Sequence, residues 1–171
     1  VVKTILYVLN PEKYFEGIVR IFRQGMGDMH VIYVTTNKPY SHILNLFRQE
    51  GLSTDRIFFV DCISKEIMPE ISEEPENCLF VEGPQDITGV SLAIHNGIEH
   101  LPGEKLLFFD SLSTLLLYND ANVVGRFSNF IINKLRVKGV SGVILALESD
   151  VGKDVLRNVE SFVDEVIKHV V

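Results

Sequence analysis

Leu106-Leu107-Phe108-Phe109-Asp110-Ser111 is the stretch on which the reading of this chain turns. Four successive apolar residues do not alternate between a core and solvent. They fit a strand covered on both faces, as in a parallel sheet. The acid that follows sets a carboxylate at the carboxyl edge of the strand, where open α/β sheets place their ligands. Many parallel strands end in Asp for turn or capping reasons, so the neighbouring elements must carry the argument.

Outward from that strand, strand-like and helix-like segments alternate to both ends, the pattern of a mostly parallel sheet covered by helices. Upstream, strands are predicted at Thr4–Leu9, His30–Thr35, Arg56–Asp61 and Cys78–Glu82. Pro11 opens a helix through Gln24 with Phe15, Ile18, Val19 and Phe22 inward, and Pro39 opens another with Ile43, Leu46 and Phe47 inward. Asp86 caps a helix carrying Ile87, Val90, Ile94 and Ile98. Downstream, a long helix starts at Asn119 or Asp120, presents Val123, Val124, Phe127, Ile131 and Leu135, and closes on Lys138-Gly139. A strand at Val143–Leu147, a helix at Asp154–Phe162 and a last strand at Val163–Val170 complete the series. Glu66, Glu70, Glu73, Glu74 and Glu76, broken by Pro69 and Pro75, read as a solvated acidic loop, with contact to a basic partner as the second reading. No repeat or linker divides the 171 residues, so 1–171 is expected to form one domain with helices on both faces of the sheet.

Composition narrows the function classes. Apolar residues make up 46%, enough for a sizeable core, and no apolar run reaches the ~20 residues of a membrane-spanning helix. The opening Val1–Leu9 segment has no cleavage site and reads directly as a strand, which predicts no removed leader. Sixteen basic against 23 acidic residues give −7, a balance that repels nucleic acid and favours solubility. Cys62 and Cys78 stand apart among apolar neighbours, as reduced thiols of a cytoplasmic protein do, with too few ligands for zinc. His42, His95 and His100 lack metal-site spacing. Gly25-Met26-Gly27 follows a helix rather than a strand, and Gly139–Val143 has the wrong spacing for a nucleophile elbow.

Several segments together resemble the KaiC family of RecA-like P-loop ATPases. Leu107-Phe108-Phe109-Asp110-Ser111-Leu112-Ser113 is similar to that family's Walker B strand and the Asp-Ser-Leu after it. Val31–Thr35 is similar to its second strand, Gly139–Glu148 to its next strand, and Asp164-Glu165-Val166-Ile167 to its late Asp-Gly-Val-Ile. The resemblance implies a three-layer RecA-like α/β core. Thr35, Asp110, Ser111 and Glu148 would then line the nucleotide edge, with Asp110 holding Mg²⁺ through water.

The same resemblance exposes two losses. A Gly-x-x-x-x-Gly-Lys-Ser/Thr loop should follow the first strand, so that backbone N–H groups converge on phosphate. This chain has Leu9-Asn10-Pro11-Glu12-Lys13-Tyr14-Phe15-Glu16: no glycine, one missing N–H, and two acids that repel an anion. After the second strand, Thr36-Asn37-Lys38 replace the glutamates that the family would use to orient water. The expectation is therefore a pseudo-ATPase that needs no cofactor and works by protein contact or as a homo-oligomer. The second expectation is residual binding of a nucleotide such as ATP with Mg²⁺, or of a small ligand, at Asp110, Ser111, Thr35 and Glu148. An unrelated enzyme at this edge would draw on Glu82 and Asp110, with no nucleophile to pair with them. Ser111–Tyr118 is too apolar for an open loop and reads as a helix or turn covering the sheet edge, or as a partner contact.

Overall fold

The computed structural model describes residues 2–168. Its strands are β1 (Thr4–Leu9), β2 (His30–Thr35), β3 (Ile57–Asp61), β4 (Cys78–Phe80), β5 (Lys105–Asp110), β6 (Ser141–Leu147) and β7 (Glu165–Lys168). The helices are α1 (Tyr14–Gly25), α2 (Tyr40–Gln49), α3 (Ser64–Ile67), α4 (Ile87–His100), α5 (Leu112–Tyr118), α6 (Ala121–Lys138) and α7 (Asp154–Phe162). The strands form one sheet in the order β4-β3-β2-β5-β6-β1-β7, with every pairing parallel. The fold is α/β, as the alternation of segments predicts, and its all-parallel sheet fits the RecA-like core that the family resemblance implies.

Residues of opposite parity along each strand feed two cores. Leu6, Ile32, Val34, Leu107, Phe109 and Ile144 face α4, α5, α6 and α7. Val31, Tyr33, Leu106, Phe108, Val143 and Leu145 face α1 and α2. Both faces of the central strands are therefore dry, which is why β5 is continuously apolar rather than alternating. Burial of strand side chains such as Ile32, Leu107 and Phe108, each 0% exposed, stabilises the sheet by about 1.5–3 kcal/mol per side chain.

The differences from the sequence reading fall at element ends. Pro11–Lys13 is a 3-10 turn, and α1 proper begins at Tyr14. Strand β4 stops at Phe80, two residues short of Glu82, although Val81 is buried. Leu46 is only partly buried; Leu44 packs against the core beside Ile43 and Phe47. The acidic connection contains one helical turn, α3, which buries nothing and so leaves no periodic signal in the sequence. The last strand is Glu165–Lys168, and His169 and Val170, the end of the predicted strand, lie outside the described residues. Helix α6 ends where Gly139 adopts φ 67°, a left-handed conformation that glycine enters without steric cost.

Candidate functional site

The carboxyl edge of the sheet is set by register. Asp61 of β3, Thr35 of β2 and Asp110 of β5 lie side by side at the ends of adjacent strands. All three are buried, with Asp110 only 2% exposed. Thr36 continues the row, as its N–H donates to the Asp110 carbonyl at 2.9 Å. Its hydroxyl donates to the same carbonyl at 3.0 Å and accepts from the Ser111 N–H at 3.0 Å. Ser111 caps α5, its Oγ accepting from the Thr114 N–H at 3.1 Å. Thr35, Asp110 and Ser111, three of the four residues expected at this edge, therefore meet. Glu148 stands one strand away, on the turn Glu148–Asp150 after β6.

The Asp110 carboxylate is turned onto protein donors. The Tyr33 hydroxyl donates to Oδ2 at 2.6 Å, the Tyr14 hydroxyl donates to Oδ1, and Asn37 Nδ2 reaches Oδ1 at 3.4 Å. Tyr33 is fixed by its ring, stacked on Phe108 at 4.9 Å and edge-on to Phe47 at 5.9 Å. Tyr14 comes from the first residue of α1, so the segment after β1 delivers a phenol to the strand-end acid.

Burial pushes the Asp110 carboxyl above the usual carboxylate range, against the pull of the two phenols, Lys38 and Asn37. Burial, then the charge of Asp110, hold both tyrosine hydroxyls well above their ordinary value. The constellation is a buried acid locked by two phenols that keep their protons.

The turn before Tyr14 is closed in the same way. Asn10 Oδ1 accepts the Glu12 N–H at 2.8 Å, the Asn10 carbonyl accepts the Lys13 N–H at 3.1 Å, and Pro11 has none to offer. In the turn itself Pro11 offers no donor and the Glu12 and Lys13 N–H groups are engaged. These residues do not fit a nucleotide phosphate with its Mg²⁺: the turn offers no cradle, and Asp110 already carries three donors.

The other candidate acid, Glu82, lies away from this site. Glu82 is on the surface in an ion pair with Lys65 at 2.5 Å. Asp61, which reads in the sequence only as the end of a strand, accepts from four donors: the N–H groups of Tyr40, Ile63 and Ser64 and the Ser64 hydroxyl, at 2.5–3.0 Å. It ties α2 and α3 to the end of β3. An Asp followed three residues on by Ser is the local signal that could have marked it, because such acids cap the turn after a strand. Cys62 and Cys78 are free, buried thiols, and burial raises both above the ordinary thiol range. Among the described residues no helix is long and apolar enough to cross a membrane.

Helix α5 covers the edge, as one of the two readings of Ser111–Tyr118 expects. Leu112 and Leu115 are buried, and the Ser113 hydroxyl accepts from the Leu147 N–H at 2.9 Å, tying α5 to β6. Leu117, at 81% exposure, faces solvent.

No curated protein sequence matches this chain. Among solved structures, it is similar to the KaiC-like protein PH0186 of the hyperthermophilic archaeon Pyrococcus horikoshii, at TM-score 0.72 and 12% identity. That match covers 97% of this chain and 71% of the other. It is also similar to the uncharacterized protein PH0321 of the same organism, solved in complex with an unknown peptide. There the TM-score is 0.69 and the identity 17%, covering 97% of this chain and 76% of the other. At these identities the likeness is one of fold, the RecA-like fold of KaiC-like proteins. Residues 16–169 match the model of a family of unknown function, DUF7504, and the chain belongs to that family.

Proposed function

We propose that this protein is a non-catalytic RecA-like domain, a pseudo-ATPase that acts through protein contacts. One observation carries the reading: the acid at the Walker B position is buried and bonded to Tyr14, a side chain from the segment that should hold the phosphate. A catalytic edge keeps such an acid open to a metal-bound water. Here the same atoms join the β1–α1 turn to the centre of the sheet, and Thr35, Asp110 and Ser111 act as internal fasteners. The −7 charge argues against nucleic acid as the partner. No membrane contact is part of this reading.

Calorimetric titration of the wild-type chain with ATP, with and without Mg²⁺, tests it. The expected result is no saturable heat at millimolar nucleotide. Saturable binding would overturn the reading and favour the rival one, in which Tyr14 swings aside and Asp110, Ser111, Thr35 and Glu148 take a nucleotide.

A further inference from the structure

Helix α6 has two apolar faces, and only one is covered. Val124, Phe127, Ile131 and Leu135 are buried against the sheet and α4. On the outer side Arg126, Phe130, Asn133, Lys134, Val137 and Lys138 line a shallow hollow of about 590 Å³. Phe130 is 55% and Val137 85% exposed, one helical repeat of seven apart on the same stripe. Helix propensity does not call for either residue there, since an exposed position favours straight-chain polar residues.

The neighbouring helix extends the patch. Lys138 pairs with Glu99 at 2.5 Å, and Lys134 Nζ lies 2.9 Å from His95 Nδ1. Each step of four on α6 is matched by a step of four on α4, so the two helices run parallel in register. Leu92 of α4 is itself exposed. Lys134 also sits over the Phe130 ring, 5.8 Å from its centre. The surface is apolar at its centre and basic at its rim, on a chain whose net charge is −7. Arg126 has no ion-pair partner among the described residues.

The complementary surface is on the same chain. The β3–β4 connection presents Ile67 at 73% and Met68 at 49% exposure between Glu66 and Glu70, with Glu73 beyond. These three glutamates are exposed and have no ion-pair partner among the described residues. Two adjacent exposed apolar residues flanked by acids mirror a hollow with two exposed apolar residues flanked by bases. Opposed potentials of this kind steer association and fix register.

We propose that the outer face of α6 is the docking surface for the acidic β3–β4 connection of a second copy of this chain. The contact joins two different patches, so it is head-to-tail and leaves each end of a dimer open to a further copy. The proposal rests on the protein-contact reading above and names its partner.

Two charge-reversed forms test it by sedimentation velocity: Arg126→Glu/Lys134→Glu, and Glu66→Lys/Glu70→Lys. All four positions lie outside the two cores, and an unchanged thermal transition serves as the folding control. The wild-type chain is expected to grow in mass through the high micromolar range, and to do so less at high salt. Each reversed form alone is expected to lose that growth, its dissociation constant rising about tenfold or more. An equimolar mixture of the two is expected to regain the growth, since the intact patches match each other and the two reversed patches are again opposite in charge. Val137→Asp is a second, independent disruption at the centre of the hollow. A wild-type chain that stays monomeric, reversed forms that associate as the wild type does, or a mixture that stays monomeric would overturn the assignment. Those failures leave the nucleotide titration unaffected, so this proposal and the pseudo-ATPase reading fall separately.

Discussion

If Asp110 is a fastener, removing it should weaken the fold. Asp110→Ala leaves the Tyr33 and Tyr14 hydroxyls without their acceptor, and Tyr33 is only 1% exposed, so water does not replace it there. An orphaned buried hydroxyl costs about 1–3 kcal/mol; Tyr33 bears that in full, whereas Tyr14, half-buried and also bonded to Ser111, bears part of it. Part of this is offset, because the substitution also removes a carboxyl whose burial opposes its charge. A net loss of about 1–3 kcal/mol remains, which for a chain of this length lowers Tm by roughly 2–12 °C. Urea and thermal unfolding at neutral pH, followed by circular dichroism, measure it. The cycle with Tyr33→Phe sharpens the test: once the hydroxyl is gone, Asp110→Ala should cost about 1–3 kcal/mol less than in the wild-type background. Unchanged or raised stability in Asp110→Ala would refute the reasoning, because that is how an acid held in strain for function behaves.

The tyrosine lock also predicts an alkaline signature. Both hydroxyls hold their protons in the native state beyond pH ~10, where unfolded tyrosine ionises, so above that pH the unfolded state binds fewer protons. Their stabilisation is complete below the unfolded value and is lost as pH rises toward the folded one, at about 1.4 kcal/mol per pH unit for each tyrosine. Tyr14→Phe should flatten the fall in urea-unfolding free energy above pH ~10 by that amount. Asp61→Ala strands three N–H groups and a hydroxyl and is expected to cost about 3–5 kcal/mol, read as a lowered urea midpoint. Gly142→Ala would bring a Cβ within 2.8 Å of Leu135 and 3.1 Å of Thr4, and should destabilise by about 1–3 kcal/mol in the same assay. Cys62 and Cys78, buried with raised thiol values, should resist alkylation at pH 8 in the native chain and react once it is unfolded in urea.

The architecture was legible because its signals are periodic or continuous. Leu106–Phe109 reads as a doubly covered strand for the reason that it is one, with cores on both sides. Helix ends were legible where chemistry marks them, as at Asp86, whose carboxylate accepts the Gly89 N–H, and at Gly139. What escaped was short and non-periodic: one turn at Ser64–Ile67 buries nothing, and Asp61 reveals its four donors only when three segments converge. The site was half legible. The missing glycines after β1 and the strand-end Asp110 were plain in the sequence, but the bond between Tyr14 and Asp110 spans 96 residues and follows no local pattern.

That bond also explains how an acid can persist where its metal chemistry has no cradle. An unpaired carboxylate at a dry strand end would be costly, and substitution by an apolar residue would be favoured. Two phenols change the balance. Each needs an acceptor once buried, and the carboxylate supplies both from one position. The tyrosines therefore both depend on the acid, and losing Asp110 removes the acceptor that the two hydroxyls share. Tyr33 ties the lock to the aromatic layer under α1 and α2, while Tyr14 ties it to the start of α1. The edge at which a nucleotide would order the loop after β1 instead carries a side chain that orders that loop without one. On the proposed reading this lock keeps the sheet edge in one arrangement, as a domain that works by protein contact requires.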